Sequence, residues 1–382
     1  MVEKKLGSVC VVIPNYKGED YLVPCIESVL ASKVVGRKVV IRIVDNASED
    51  EALTLLEKAL LSKGYKCVDS KEARIGAPQK SEAAMIGAEE QSEKEYRYSG
   101  FGKEMVNEGL QPCVAEIYVT RLGENTGFCH AVNVGIWQSR EEYVFLLNND
   151  TRIEPECIEA LATFMDYNHR AFSAGAQMLD MKNPSIADDC GDYYNLLGYA
   201  RGRGKGKKAS EYNEVCEVTA ACAGAAMYRR DLLRGHKIGC FDEAHFAYLE
   251  DMDLGIRAGL YGYQNYYVPE AKVLHAGSAV SGSKHNAFKQ RLSGRNNIYL
   301  LYKNFPNWML GANLLFLVAG QLIKLLYFSL KGLGGAYLGG IREGLALIRT
   351  KEAETKRVPF SMKRLHHYLK LEGNLIRNLG RR

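Results

Sequence analysis

Short apolar runs closed by polar side chains recur along the first 280 residues, and they set the fold expectation. Ser8–Ile13 is rich in β-branched residues and stops at Pro14-Asn15-Tyr16, while Tyr21–Ser32 carries Leu22, Ile26, Val29 and Leu30 at helical spacing. Val39–Val44 reads as a second buried strand, ending on Asp45-Asn46-Ala47-Ser48, and Glu51–Leu61 as a second helix. Strand, helix, strand, helix within about sixty residues predicts a right-handed βαβ unit, hence an α/β fold with a mostly parallel central sheet and helices on both faces. Residues 64–113 break the rhythm with repeated Glu and Lys and several Gly, and read as an insertion with at most a short helix near Ser81–Glu90. Ala115–Thr120 resumes as an alternating strand. Asn125 or Thr126 is placed to cap the next helix, whose free amides would face an anion.

Tyr143–Leu147 is an unbroken apolar run, read as a strand buried on both faces, and it stops at Asn148-Asn149-Asp150. Ligands of such sheets gather beyond the carboxyl ends of the strands. These three residues therefore stand at the mouth of a crevice, with one carboxylate suited to a hard divalent cation. An equally good reading makes Asp150-Thr151 the cap of the helix Pro155–Tyr167. A strand at Phe172–Met178 leads into a long polar connection, 180–215, whose glycine-spaced basic run Arg201–Lys208 reads as a solvated loop. Thr219–Tyr228 is small and apolar, and Gly224 would let a substrate lie close to backbone. Carboxylates then crowd Glu243–Asp253, a costly arrangement unless they are solvated, paired or employed. Asp253 suits the start of a helix over 251–261, whereas the adjacent Glu250 and Asp251, set against an apolar strand, suit general-base chemistry. Val273-Leu274-His275 closes the unit; a lone His at a strand end is commonly structural, and next to a metal-binding aspartate it becomes a second ligand.

Two compositional facts change this picture. The first βα turn, Pro14-Asn15-Tyr16-Lys17-Gly18, lacks the glycines by which pyrophosphate reaches backbone in dinucleotide folds, so a Rossmann dehydrogenase is demoted. Charge is also uneven. Residues 281–382 hold 18 Lys and Arg against 4 Asp and Glu, and subtraction from the chain totals of 50 and 45 leaves 32 against 41 before them. An acidic body thus carries a basic tail. Trp308–Ile323 is uncharged but short for a full span. Asn313, Lys324, Lys331, Arg342 and Arg349 fall in one stripe at helical spacing, although the glycines at 332–340 weigh against one continuous helix. This pattern suits a helical extension over 306–382 lying in an anionic membrane interface, and no nucleic-acid module accompanies it. Arg291 and Arg295, just before the apolar run, would meet the phosphates of a lipid-linked molecule held there. The ten scattered cysteines form no CxxC pair and suit a reducing compartment. The amino-terminal Lys4-Lys5 and apolar Leu6–Ile13 read as the first strand rather than a signal peptide.

Taken in order, Val11–Tyr16, Val44–Ser48, Asn125–Phe128, Leu147–Thr151, Phe241–Glu243, Glu250–Leu254 and His275 resemble the inverting family-2 glycosyltransferases of the GT-A fold, particularly the rhamnosyltransferase-like branch. The resemblance spans residues 8–305 apart from the insertion, which makes 1–305 the expected catalytic domain. It implies that Pro14, Asn15, Asp45, Asn46 and Ser48 hold the nucleoside of a sugar nucleotide. Asn125, Gly127 and Asn133 would lie along the donor, with Asn148 and Asn149 beside it. Asp150 and His275 would ligate Mg²⁺ or Mn²⁺. Asp251 would be the base, with Glu250 and Gly224 on the acceptor side. Asn148 stands where the family's Asp-x-Asp pattern begins, so one anionic ligand fewer should weaken metal binding. The implied activity is inverting transfer of a sugar, dTDP-rhamnose being one candidate donor, to a glycan acceptor on a polyprenyl lipid. It would take place in the cytoplasm, at the inner face of the cell membrane, during cell-envelope polysaccharide synthesis. A sugar-nucleotide pyrophosphorylase should show a glycine-rich basic loop after the first strand, which is absent here. A non-catalytic membrane-associated binding protein would not need the paired carboxylates.

Overall fold

The computed structural model of the chain describes residues 6–73, 93–99, 114–277 and 286–381; the helix expected near 81–90 lies outside them. The strands are β1 (Val9–Asn15), β2 (Val39–Asp45), β3 (Lys66–Ala73), β4 (Glu93–Ser99), β5 (Val114–Arg121), β6 (Tyr143–Leu147) and β7 (Thr151–Ile153). They continue with β8 (Ala171–Asp180), β9 (Asn183–Asp189), β10 (Asp192–Tyr194), β11 (Ala200–Gly202), β12 (Cys216–Val218), β13 (Ala225–Arg229) and β14 (Gln264–His275).

The main sheet runs β12-β14-β8-β13-β6-β1-β2-β5-β4-β3. Its centre, β6-β1-β2-β5, is parallel as the βαβ pattern requires. The sheet as a whole is mixed, which corrects the expectation of a mostly parallel one. β13 enters antiparallel between β6 and β8, and β4 pairs antiparallel with both β3 and β5. Two apolar layers lie on opposite faces, because successive side chains of a strand point opposite ways. Val9, Val11 and Ile13 join one cluster, Cys10 and Val12 the other. The segment 180–215 is not merely a loop: it contains β9, which pairs with β8, and the β10-β11 hairpin.

The C-terminal residues form helices Ala287–Asn304, Asn307–Ala312, Leu314–Leu330, Gly334–Leu347 and Leu365–Arg377, with short turns between. The apolar stretch is therefore broken, and Gly332 (φ 71°) supplies the left-handed residue at the break. Helix Gly334–Leu347 lies close against Ala287–Asn304, where a side chain at Gly340 would strike the Arg291 backbone. Among the described residues no helix is long and apolar enough to cross a membrane. Helix Leu314–Leu330 is turned with its polar groups inward. The Lys324 ammonium donates to the Gly198 carbonyl (2.9 Å) and lies over the Tyr199 ring, and just before the helix the buried Asn313 donates to Glu372. Leu315, Leu322, Leu326 and Leu330 are 60–83% exposed. The expected basic stripe thus loses Lys324, whose charge is disfavoured by burial to a value of about 7, and the leucines take the outer face.

Candidate functional site

β1, β2 and β6 run parallel and end together, and the polar residues that stop them are joined side chain to side chain. Asn15 Nδ2 donates to Asp45 Oδ1 (2.8 Å), and Asn15 Oδ1 accepts from Asn149 Nδ2 (2.8 Å). Ser48 closes the β2 turn, its hydroxyl accepting from the Lys17 amide (3.0 Å) and its own amide reaching Asp45. Asn46 ties this turn to the next loop: its Oδ1 accepts from the Thr126 amide (3.0 Å) and its Nδ2 donates to Asn125 Oδ1 (2.9 Å). Burial raises the Asp45 carboxyl above its ordinary value, against the hydrogen bonds from Asn15 and Ser48. Pro14 sits in β1, one residue before Asn15.

The loop after β5 departs from expectation. Neither Asn125 nor Thr126 caps the helix Phe128–Gln138; its N-cap is Gly127 at φ 88°, with no side-chain cap. One first-turn amide, that of Cys129, is already taken by the Phe246 carbonyl (3.1 Å), which reduces the anion-facing donors. Asn133 is also differently employed. Its amide donates to the Phe241 carbonyl (2.8 Å) and to Glu243 (2.9 Å), and its oxygen accepts from the Phe241 amide. The residue is buried and fastens the segment 241–243.

Asp150 is not a helix cap. The short strand β7 follows it, and the helix Cys157–Tyr167 begins later, behind Glu156. β7 pairs with β14 so that Thr151 faces His275. The result is a contact across 125 positions, with His275 Nε2 lying 3.3 Å from Asp150 Oδ1. His275 Nδ1 meets Asp188 Oδ2 at 2.7 Å, and Asp188 in turn holds Lys205 at 2.8 Å. These partners push the imidazole up to about 9, outweighing its burial. Orientation of one ring nitrogen by a carboxylate while the other faces a metal position is a recurrent metal-site arrangement. The Asp150 carboxylate suits a hard divalent cation such as Mg²⁺ or Mn²⁺, and the imidazole is the softer donor of the pair.

The residues expected on the acceptor side connect to the same line. The Asn148 amide donates to the Gly224 carbonyl (2.9 Å), and a side chain at Gly224 would crowd the Asn148 amide. The backbone of Ala223, the residue before Gly224, lies beside the Asp251 carboxyl. Glu250 and Asp251 open the helix Glu250–Leu260. Asp251 Oδ1 accepts from the Met252 amide (2.7 Å). Both carboxyls are raised by burial, and Glu250, with its Oε2 unpartnered among the described residues, is raised further by the Asp251 charge. Asp189, Asp192 and Cys222 bring ligand atoms within 4.8 Å of one another nearby. Burial and mutual repulsion hold both aspartates above their ordinary values, with Asp251 contributing.

Several functional supports were invisible to periodicity. Phe246, Tyr248 and Leu249 all have positive φ (62°, 70° and 66°), a strain of about 1–3 kcal/mol each that the surroundings must hold. Asn296 does so: its buried Nδ2 lies 2.8–2.9 Å from the carbonyls of His245, Ala247 and Tyr248. Arg295 bonds the Ala244 carbonyl and Arg291 pairs with Glu343, so neither stands ready for an acceptor phosphate as expected. Asp253 is structural, as one reading had it, but as the hub of a buried ion cluster rather than a cap. It meets Arg257 (3.0 Å), Lys303 (3.0 Å) and Asn304 (2.7 Å), while Lys303 also meets Asp242 (2.7 Å), which Lys356 reaches at 3.1 Å.

His245 lies 4.0 Å from Asp253 within this cluster. Burial lowers it from 6.5 to about 4, and Arg257 and Lys303 lower Asp253 from 3.8 to about 2. The unfolded chain therefore binds more protons than the folded one below pH 6.5, and stability is lost as pH falls. We expect a decrease on the order of 3 kcal/mol between pH 7 and 4 from His245 alone. Urea unfolding across that range checks it, and His245→Phe should flatten the dependence between pH 6.5 and 4; an unchanged slope would exonerate the histidine.

Comparison with known proteins bears on the family and the fold. The profile of the family described as glycosyl transferase family group 2 matches residues 143–350. An N-acetylglucosaminyl-diphospho-decaprenol L-rhamnosyltransferase of Mycobacterium tuberculosis is 54% identical over 176 residues, 40% of this chain and 56% of that protein. The dTDP-rhamnosyl transferase RfbF of Shigella flexneri is 25% identical over 167 residues, 43% of this chain and 53% of that protein. The chain thus spans a little over half the length of these relatives. Among solved structures, S. aureus TarS 1-349 in complex with UDP-GlcNAc superposes with a TM-score of 0.52 at 14% identity, covering 97% of this chain and 91% of that one. That likeness concerns the fold.

Proposed function

The chain belongs to glycosyl transferase family group 2, and from that premise we propose that it transfers a sugar from a nucleoside diphosphate to a hydroxyl of a glycan acceptor, with inversion at the anomeric carbon. One observation carries the proposal: hydrogen bonds join Asp45 to Asn15 and Asn15 to Asn149, and the adjoining Asn148 bonds Gly224, whose neighbour Ala223 lies beside Asp251. Asp150 and His275 flank the middle of this line.

Along that line, Asp45, Asn46 and Ser48 would bind the nucleoside, while Asn148 and Asn149 would orient the diphosphate and sugar. Asp150 and His275 would hold Mg²⁺ or Mn²⁺, which when bound neutralises charge on the leaving diphosphate. Asp251 would take the acceptor hydroxyl's proton as the new bond forms. Glu250, kept protonated by its surroundings, would offer a hydrogen bond to the acceptor. A single displacement of this kind inverts the anomeric centre.

The rhamnosyltransferase relatives favour dTDP-rhamnose as donor and a polyprenyl-diphosphate glycan as acceptor. The outward leucines of helix Leu314–Leu330 support a position on the membrane surface. Exposed apolar area is stabilised there, and the surplus of Lys and Arg after residue 281 suits anionic lipid on the cytoplasmic side. Residues 1–305 would then be the catalytic unit and 306–382 its membrane-associating extension. A panel of nucleotide sugars, assayed with and without chelator for released nucleoside diphosphate in the presence of lipid-linked N-acetylglucosamine, tests this reading. We expect dTDP-rhamnose to be turned over and chelator to suppress it. No release from any donor would overturn the proposal.

A further inference from the structure

A cavity of about 320 Å³ lies apart from the line of residues just described; of the residues singled out from the sequence, Asn133 and the Phe241–Glu243 segment border it. It is bounded by Trp137, Arg234, Lys237, Tyr261, Lys356 and Arg357, among others. Its volume falls within the range of small-molecule sites, and its lining is predominantly basic, with Asp242 and Glu243 as the acids. On the floor, Asp242 is gripped by both Lys303 (2.7 Å) and Lys356 (3.1 Å), which offsets its charge. On the rim, Arg234, Lys237 and Arg357 have no carboxylate partner among the described residues. Arg234 lies over the indole of Trp137, 4.9 Å from its centroid. Arg357 spends its donors on the Tyr302 and Phe305 carbonyls (2.9 and 3.1 Å), fixing the guanidinium in place without neutralising it. The 238–240 loop is also fixed, because the buried Arg257 donates to the carbonyls of Ile238 and Cys240.

Cations around a concave, aromatic-edged hollow favour a multiply charged anion, since guanidinium forks match phosphate oxygens and the basic side chains outnumber the two lining acids, Asp242 and Glu243. We propose that this cavity is a second anion site, taking a small phosphate- or diphosphate-bearing molecule, separate from the donor crevice. It does not rest on the sugar-transfer reading. Its occupant would bear on Lys356, which shares Asp242 with Lys303. Lys303 in turn holds Asp253 on the helix that carries Asp251, so the site is linked to the paired carboxylates through ion pairs.

Trp137 gives the cavity its own reporter, because the chain has only two tryptophans. The full chain carrying Trp308→Phe is titrated with inorganic pyrophosphate in excess chelator, with emission and calorimetry read in parallel. Binding should saturate, weaken with added salt and be at least about tenfold weaker in Arg234→Gln/Lys237→Gln. It should be unchanged in Asp150→Asn, which marks the donor crevice. Unfolding midpoints of the variants establish that they fold. A second arm adds phosphatidic acid vesicles: competition with pyrophosphate identifies a lipid headgroup as the source of the phosphate, and its absence a soluble one. No saturable binding by either readout, or a loss in Asp150→Asn but not in the double variant, overturns the proposal.

Discussion

Replacing Asp251 by asparagine is expected to lower turnover by at least about 100-fold, the scale of a lost general base, while donor affinity stays within a factor of a few. The substitution is nearly isosteric, and the asparagine oxygen can still accept the Met252 amide that Asp251 Oδ1 accepts now at 2.7 Å. The start of the helix Glu250–Leu260 therefore survives, and what disappears is the capacity to receive a proton. Donor affinity is read by equilibrium titration with the nucleoside diphosphate and turnover by its release. Glu250→Gln should behave differently. A group that offers a proton in a hydrogen bond is well imitated by an amide, so the loss should be smaller and should appear mainly in the KM for acceptor. Near-normal turnover in Asp251→Asn would remove this residue from the mechanism.

The second large effect concerns folding. Lys303→Met is expected to destabilise the chain by about 3–5 kcal/mol, because it leaves buried carboxylates without a counter-charge. The Lys303 side chain is 4% exposed, and its ammonium lies between Asp242 Oδ2 at 2.7 Å and Asp253 Oδ2 at 3.0 Å. The methionine fills the volume, so the loss reports charge rather than packing. Urea unfolding at neutral pH measures it. A midpoint equal to that of the parent would mean that Arg257 and Lys356 satisfy the two carboxylates alone.

The sequence disclosed the crevice better than its supports, for a physical reason. Buried parallel strands announce themselves as apolar runs, and the polar residues that stop them mark the functional edge. Asn15, Asp45, Asn148 and Asp150 are legible in that way. His275 was legible as a strand end, but its approach to Asp150 needed the β7–β14 pairing to be seen. Asp188 was not legible: it lies in a polar stretch without periodicity, where a carboxylate looks solvated, and only the pairing of β9 on β8 carries it to the imidazole. The orientation of β13 was hidden too, since nothing in Thr219–Tyr228 states a strand's direction. Asn133 looked free for a ligand because its partners, Phe241 and Glu243, come from a segment more than a hundred positions away. Lys303 and Lys356 counted as members of a basic tail, although both are spent inside the protein. An amide such as Asn296, amid the apolar residues that follow it, was the one available hint that this helix clasps backbone.

Asp242 belongs to the sheet-bearing part of the chain, yet one of the two cations that hold it, Lys356, arrives from beyond the exposed leucines. The backbone repeats the connection, with the Val358 amide on the Lys303 carbonyl and the Leu196 amide on that of Leu375. The last seventy-odd residues are thus a buttress as much as an appendage. A shortened version ending near residue 305 would strip a counter-ion from the interior, and a tail transplanted from another protein would have to deliver an ammonium to the same spot. The helical tail is therefore joined to the interior of the sheet-bearing part, and the two would have to be redesigned together.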